Sequence, residues 1–460
     1  MSVAPSPSPR AAAPAPGPRS WPLIGNLPEL RRSGLLNFLL ESWRAHGDIF
    51  SVSMQGPTVV VAHPDAIKHV LLSNQANYVK GAAYDSLRRV IGDGVIALEG
   101  QTWKARRTLL QPAFHKSSIA RLTEIMAESG AAYFDALLAK HAGEAAPIDA
   151  HREMVQLTLD VVVAALFGRD LGGATDVSYE ALGAAMELIS EGGNGVVLPS
   201  WVPTPYNRKF HRTMAEVEGA VFRVIEAGRA RGANDGTLLS MLLQTQDAET
   251  GVALTDRELR DEVFTMFLAG HETTALTLTW MFTLLGGRPD VVAAMRAEVD
   301  SVLGDRDPTF EDVPKLLYLR AVIDETLRLR GPVGVIARDV VKDDVIAGVS
   351  VPAGSRIMPF FYATHRHPAF WQDPERFDPG RFSKERSQGR NPWSYVPFSA
   401  GQRNCIGATF SLVETTVLLA QLFRRFDVEI GEDVAEVKPL LLGTLRPDRP
   451  VRVVLRPRAR

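Results

Sequence analysis

The sequence predicts a mainly α-helical protein with small antiparallel β-sheets. Apolar residues recur with the 3.6-residue period of amphipathic helices through most of the chain. Residues 263–285 are apolar on nearly every side, which is typical of a helix buried in a core. Residues 49–61 instead alternate apolar and polar side chains around Gln55-Gly56-Pro57, which indicates a β-hairpin.

Helices and short strands follow one another along the chain. Helical periodicity predicts helices at 35–46, 64–72, 84–90, 119–168, 179–190, 209–231 and 316–329, with another beginning at Trp103. Strands are predicted at 333–336, 346–357 and 451–455. Two Gly- and Pro-rich breaks, 191–195 and 199–205, favour either a mobile lid over an apolar cavity or a plain surface loop.

The composition is that of an ordinary globular protein with a large core. The chain is 45% hydrophobic and 23% charged, and no linker divides it after residue 20, so residues 21–460 are predicted to form one domain with a helical core and a smaller β-rich region. A formal net charge of -2 argues against a nucleic-acid binder defined by overall basicity. A single cysteine suits a reducing cytoplasm.

The first 20 residues are rich in Pro, Ala and Ser. Such a segment buries too little apolar surface to order itself, so a disordered tail is predicted. It contains no apolar span, so we expect neither a signal peptide nor a membrane anchor in it. We therefore expect a soluble, cytoplasmic protein.

The chain has one cysteine, Cys405, in the segment Phe-Ser-Ala-Gly-Gln-Arg-Asn-Cys-Ile-Gly at 398–407. A lone cysteine cannot form an internal disulfide, which leaves a packed thiol, a nucleophile or a metal ligand. The helix predicted from Ala408 begins just after it, and the free N–H groups of a helix start stabilise a thiolate. Arg403 adds a cation to the same turn.

This segment resembles the haem-binding loop Phe-x-x-Gly-x-Arg-x-Cys-x-Gly of the cytochrome P450 family, through Phe398, Gly401, Arg403, Cys405 and Gly407. The resemblance implies the cytochrome P450 fold and a haem-thiolate monooxygenase of the soluble, bacterial type. Cys405 would be the proximal ligand of haem b iron, and Arg403 would contact a propionate. A thiolate ligand pushes electron density onto the iron and favours O–O cleavage.

The centre of the long apolar helix carries Ala-Gly-His-Glu-Thr-Thr at 269–274. A carboxylate and a histidine there favour a buried core helix over a membrane span. Ala269 and Gly270 remove bulk where a planar group would lie, and Thr273 can bond back to a preceding carbonyl and loosen the helix. The pattern resembles the family's oxygen-activation motif, which implies that Glu272 and Thr273 relay protons. The alternative is a helix kink satisfied by its own side chains.

Trp103 and Arg107 lie four residues apart on one predicted helix face. They resemble the family's Trp-x-x-x-Arg pattern, which implies that both reach a haem propionate. The alternative is a solvated basic turn. Arg338 lies where the family often has a further propionate-binding arginine.

Glu325 and Arg328 are three residues apart on a predicted helix and face the same side. Together with Pro-Glu-Arg-Phe at 374–377 they resemble the Glu-x-x-Arg and Glu-Arg-Phe elements of the family. The resemblance implies that Glu325, Arg328 and Arg376 interlock behind the haem loop as a structural network.

The family pattern places seven apolar residues in the substrate cavity: Val95, Ile96, Ala269, Val333, Val335, Ile336 and Leu442. The turn at 442–444 belongs to the same region. None of the seven carries a charge, which favours a lipophilic small-molecule substrate such as a terpenoid, a steroid or a fatty acid.

The resemblance implies hydroxylation of a C–H bond, or oxidation of an alkene, with O2 as cosubstrate. The chain stops 55 residues after Cys405, so electrons from NAD(P)H are expected through a separate ferredoxin or flavodoxin with its reductase. Lys104, Arg106 and Arg121 are predicted to contribute to a basic docking surface. Two alternatives stay open: a haem-thiolate peroxygenase, isomerase or dehydratase that needs no electron supply, and a non-catalytic haem-binding or sensing protein.

Overall fold

The computed structural model describes residues 12–168 except 55 and 142–143, residues 201–246 except 232–235, and residues 251–458 except 252. The helix predicted at 179–190 and most of the predicted lid lie outside the described residues. The helices are α1 Leu27–His46, α2 Pro64–Lys68, α3 Asp85–Ile91, α4 Gly100–Leu110, α5 Lys116–Lys140, α6 Ala150–Phe167, α7 Pro205–Arg231, α8 Leu238–Gln244, α9 Asp256–Leu285, α10 Pro289–Leu303, α11 Leu317–Arg330, α12 Phe361–Thr364, α13 Lys384–Ser387 and α14 Ala408–Arg425. The strands are β1 Ala13–Pro14, β2 Ile49–Ser53, β3 Pro57–Val61, β4 Tyr78–Val79, β5 Ala146–Asp149, β6 Arg338–Val340, β7 Asp344–Ile346, β8 Val349–Val351, β9 Arg356–Pro359, β10 Phe426–Ile430, β11 Pro439–Leu442, β12 Thr444–Pro447 and β13 Arg452–Pro457.

The described residues fall into two compact units. Unit 1 contains residues 12–83, 334–374 and 389–404, and unit 2 contains residues 84–333, 375–388 and 405–458. Unit 1 contains the five-stranded sheet, and unit 2 contains α9 and most of the other long helices together with β5 and β10–β13. That residues 21–460 form one domain stays a prediction. Most predicted helices are confirmed, and the periodic stretch at 119–168 is two helices, α5 and α6, with β5 between them.

Unit 1 is built on a five-stranded sheet in the order β2-β3-β9-β6-β4. The predicted hairpin is confirmed, because β2 pairs antiparallel with β3. The sheet is mixed, since β3 pairs in parallel with β9, which is distant in sequence. Val61, Ile67, Ile357 and Phe361 are completely or almost completely buried behind it and form the core of this unit.

The tail predicted to be disordered over residues 1–20 is partly ordered. Ala13 and Pro14 pair in parallel with Val349 and Ser350 of β8, and Ser51 donates its hydroxyl to the carbonyl of Ala15 at 3.0 Å. The prediction is wrong for these residues because a Pro- and Ala-rich backbone can pair at a sheet edge even when its side chains bury little surface.

The strand predicted at 333–336 is also absent from the described structure. Isolated backbone hydrogen bonds replace a ladder there, such as that from the Ile336 N–H to the Pro359 carbonyl at 3.2 Å. Pro332 and Gly334 interrupt the segment, and proline cannot donate to a ladder. The neighbouring strand β6 therefore begins only at Arg338.

Helix α9 is the central element of unit 2. A capping box of Thr255 and Glu258 starts it, and it packs along its length on α6 and also on α14. Phe264 and Trp280 are fully buried on it, as expected for a helix that is apolar on nearly every side. Among the described residues, no helix combines the length and apolarity that crossing a membrane requires.

Candidate active site

Cys405 comes three residues before the start of α14, with Gly407 as the helix cap. Its side chain is exposed, although protein atoms surround much of the sulfur. This burial raises the pKa of the Cys405 thiol, while the Gly407 N–H and the charge of Arg107 act in the opposite direction. In the metal-free protein, burial outweighs the stabilisation of the thiolate by the N–H at the helix start, and a contribution of Arg403 stays a prediction. A bound metal ion deprotonates a coordinating thiol outright.

The preceding part of the loop belongs to unit 1, and it requires a glycine at one position. Gly401 has φ +71°, and an added Cβ would lie 2.0 Å from the Leu71 carbonyl oxygen. Gly407, in unit 2, is different, because the nearest atom to an added Cβ is Phe114 Cε1 at 3.9 Å. No described protein atom therefore requires the small residue at 407, which fits a planar group lying against this position.

The arginines predicted to bind propionates lie in both units. In unit 2, α4 carries Trp103, which is 9% exposed, and the half-buried Arg107, whose charge acts on Cys405. A solvated basic turn does not fit this burial, and the placement suits the residues of a haem site. In unit 1, Arg338 is buried and donates to the Ala337 carbonyl at 2.7 Å, while Phe398 and Arg403 are half-buried.

The centre of α9 has the predicted hydrogen bond of its threonine. Thr273 Oγ1 donates to the Ala269 carbonyl at 2.7 Å, and both residues are half-buried. Gly270 also has a packing role, because an added Cβ would lie 2.9 Å from Val162 Cγ2 of α6. That Ala269 and Gly270 leave room for a planar group stays a prediction.

Glu272 is bound by two residues of β12. Its Oε1 accepts from Thr444 Oγ1 at 2.8 Å and from Arg446 Nε at 2.8 Å, and Arg446 Nη2 lies 2.6 Å from the same oxygen. The Glu272 side chain is 14% exposed. The sequence predicted that the turn at 442–444 lies near the cavity, but it contained no local motif that marks Arg446 as a partner of Glu272.

A second carboxyl group, Glu414, is buried where α9 packs on α14. Thr274 Oγ1 lies 3.1 Å from Glu414 Oε2 and 3.2 Å from Ser411 Oγ. Burial raises the pKa of Glu414 to about 8, so the group is mostly a neutral acid at pH 7. No motif marks Glu414 in the sequence, and its one signal is that it is a lone glutamate within the apolar period of α14.

The predicted network of Glu325 and Arg328 is confirmed, but its third member is different. Arg328 donates to Glu325 through Nε at 2.7 Å and Nη2 at 2.8 Å, with both side chains fully buried. Arg376 is exposed, and it contributes its carbonyl to Arg328 at 3.3 Å. The side chain that reaches Glu325 is Arg381, at 3.3 Å and 6% exposed. The chain contains two Pro-x-Arg-Phe sequences five residues apart, at 374–377 and 379–382, and the prediction rested on the one whose arginine is exposed.

The predicted cavity residues are divided between the units. Val95 is buried in unit 2, where Ile96, Ala269 and Val333 are half-buried. Leu442 is 51% exposed at the end of β11. Val335 and Ile336 are half-buried in unit 1. Their place in a substrate cavity stays a prediction.

The chain was compared with known proteins. The family model for Cytochrome P450 matches residues 15–455. Cyclooctatin synthase of Streptomyces melanosporofaciens is 34% identical over 434 residues, covering 93% of this chain and 92% of that protein. Pentalenene oxygenase of Streptomyces avermitilis is 30% identical over 448 residues, covering 95% and 96%. The solved cytochrome P450DA heme domain is 28% identical, with 98% of both chains covered and a TM-score of 0.88. With this agreement over almost its whole length, the chain belongs to the cytochrome P450 family.

Proposed function

We propose that this P450 inserts one oxygen atom from O2 into a C–H bond, or into an alkene, of a lipophilic terpenoid. The observation that carries the proposal is Cys405, an exposed residue whose thiol feels the charge of Arg107, in the unit that also holds the acid and alcohol of α9. Haem b bound through Cys405 would supply O2 activation for this reaction. Within unit 2, Trp103 and Arg107 would contact its propionates; the same role for Arg338 and Arg403 rests on the family pattern alone.

The protein's own part of the chemistry is the supply of protons. The Thr273 hydroxyl donates a hydrogen bond to the Ala269 carbonyl. Its oxygen can therefore accept a hydrogen bond from a water molecule beside α9. Glu272, which directly precedes Thr273 on α9, can take a proton from solvent and pass it towards this hydroxyl. Neither residue needs to bind the metal for this role.

The substrate class follows from the apolar candidates and from the names of relatives. Relatives that share 30–35% of their residues with this chain are named cyclooctatin synthase, cyclooctat-9-en-7-ol 5-monooxygenase and pentalenene oxygenase. Val95, Ala269 and Val333 offer apolar surface and no charge. Titration with cyclic terpenes, steroids and fatty acids should give the low-to-high-spin shift at the lowest concentration for the terpenes. A preference for fatty acids would contradict the proposed class.

Electrons would come from a ferredoxin or flavodoxin and its NAD(P)H reductase. Lys104 and Arg121 are exposed and can attract an acidic partner. Arg106 cannot, because it is buried and paired with glutamates, so the prediction for that residue is wrong. Reduction should slow as the salt concentration rises, and reduction that is independent of salt would count against this docking surface.

The overall function is tested by two measurements. The reduced protein with carbon monoxide should show the red-shifted absorption band of a thiolate-bound haem, and Cys405→Ser should abolish it. Product should form with NAD(P)H, the redox partners and O2. Product from peroxide alone would support a peroxygenase, and a haem protein that forms no product under either condition would support a sensing role.

A further inference from the structure

The carboxylate of Glu272 is bound by a different part of the chain from the helix that carries it. Thr444 and Arg446 both lie on β12, which pairs antiparallel with β11, and Leu442 is paired with Thr444 next to the turn. Residues two apart on a strand project from the same face. Thr444 and Arg446 therefore face Glu272 together, and both bind the same oxygen, Oε1.

The residue between them fixes the hairpin to the core. Leu445 is fully buried, its carbonyl accepts from Trp280 Nε1 at 2.7 Å, and its N–H donates to the Pro332 carbonyl at 2.8 Å. Trp280 lies two helical turns after Glu272 on α9. The hairpin is thus attached to the same helix at two points, and a movement of β12 would also move the groups that hold Glu272.

Two histidines of the described residues also interact electrostatically with this carboxylate. His151 of α6 and His271 of α9 both act electrostatically on Glu272 and Arg446. Burial lowers the pKa of both imidazoles, so both are neutral at pH 7 and above. Among the described residues, Arg446 is then the cation that contacts Glu272.

We propose that Thr444 and Arg446 are positioning residues for proton delivery in this enzyme. They hold Oε1 of Glu272 in place, and this leaves Oε2 to take a proton from solvent and to release it towards Thr273, so that the carboxylate is regenerated at each turnover. The partial exposure of Glu272 permits the exchange with solvent. This inference rests on the proposed monooxygenase function, and it assigns the β11–β12 hairpin a part in it.

The test uses the holoenzyme with its redox partners and a substrate that gives the spin-state shift. Arg446→Gln should lower the product formed per NAD(P)H consumed by about tenfold and raise peroxide release, because a misplaced proton donor slows the productive step. Thr444→Val should have a smaller effect in the same direction. The carbon monoxide band should match the wild type in both variants, and the substrate-induced spin shift should match it in Arg446→Gln. Arg446→Lys should recover part of the coupling, meaning the product formed per NAD(P)H consumed. Lysine keeps the charge but can replace only one of the two contacts that Arg446 Nε and Nη2 make with Glu272.

The matched control is Arg449→Gln, which removes an arginine of the same segment that is 51% exposed and pairs with its neighbour Asp448. Unchanged coupling in Arg446→Gln and Thr444→Val, or an equal loss in Arg449→Gln, would overturn the inference. If Arg446→Gln does not fold, the comparison of Thr444→Val with Thr444→Ser tests the inference. Product formed per NAD(P)H consumed should then fall in Thr444→Val and stay close to the wild-type value in Thr444→Ser.

A second readout needs no turnover. The double variant Glu272→Gln, Arg446→Gln should lower the melting temperature by less than the sum of the two single variants, because both substitutions remove the same contact. Additive effects would contradict the contact itself. Absence of wild-type turnover would instead reject the proposed function, so the two failures can be distinguished.

Discussion

Arg106 of α4 and Glu262 of α9 form a buried ion pair. Arg106 Nη1 lies 2.8 Å from Glu262 Oε1, with the side chains 5% and 0% exposed. Arg106 also pairs with Glu258, and the other Glu262 oxygen accepts the Val95 N–H at 3.1 Å. Burial nonetheless raises the pKa of Glu262 to about 7. One carboxylate therefore joins α4, α9 and the segment that carries the predicted cavity residue Val95.

Removing the Arg106 side chain should make the folded protein less stable. Arg106→Ala leaves Glu262 buried without its cation, and breaking a buried pair in this way costs about 3 kcal/mol or more. The urea midpoint of the holoprotein should fall accordingly. Arg121→Ala is the control, because Arg121 is exposed and its loss should leave the midpoint unchanged. Equal midpoints for the two variants would refute the structural role of Arg106.

The two Pro-x-Arg-Phe sequences, at 374–377 and 379–382, give a second matched pair of variants. Arg381→Ala removes the side chain that reaches the buried Glu325, whereas Arg376→Ala removes an exposed one whose contribution is its carbonyl. We expect Arg381→Ala to lower both the melting temperature and the fraction of protein that shows the carbon monoxide band. Arg376→Ala should keep both. The reverse order would restore the assignment made from the sequence.

The buried acid of α14 predicts a pH dependence of stability. The pKa of Glu414 is about 8 in the folded protein and near 4.5 when solvated, so the folded state holds the extra proton between these values. Protonated Glu414 therefore contributes fully to the free energy of unfolding below about pH 4.5. This contribution, at most about 5 kcal/mol, is lost as the pH rises to about 8. Glu414→Gln is a neutral isostere. As the pH rises over this range, the melting temperature of the wild type should fall relative to that of Glu414→Gln.

An identical pH profile in Glu414→Gln and in the wild type would mean that this carboxyl group does not titrate there. Glu429→Gln serves as the control, because Glu429 is exposed and pairs with Arg456. That variant should retain the wild-type fall in stability with rising pH.

The sequence identified the groups that we propose to carry the chemistry and missed several of the residues that they contact. Cys405, Thr273 and Glu325 lie in local motifs whose spacing is visible in the chain, so the sequence was enough to find them. Arg446 is 174 residues from Glu272, and its role follows from how β12 packs on α9, which no local pattern reports. Arg376 and Arg381 have the same local sequence context, and only burial separates them.

The two glycines of the cysteine loop should respond differently to an added methyl group. At Gly401 an alanine side chain would meet the Leu71 carbonyl oxygen at 2.0 Å with a positive φ, and both the clash and the backbone strain destabilise the fold. At Gly407 the nearest described atom is 3.9 Å away, so the polypeptide can accept alanine. We expect Gly401→Ala to lower the melting temperature of the protein before haem is added. Gly407→Ala should keep that temperature and lower only the fraction that binds haem, measured from the carbon monoxide band. If Gly407→Ala bound haem as the wild type does, the space at this position would not be reserved for a planar group.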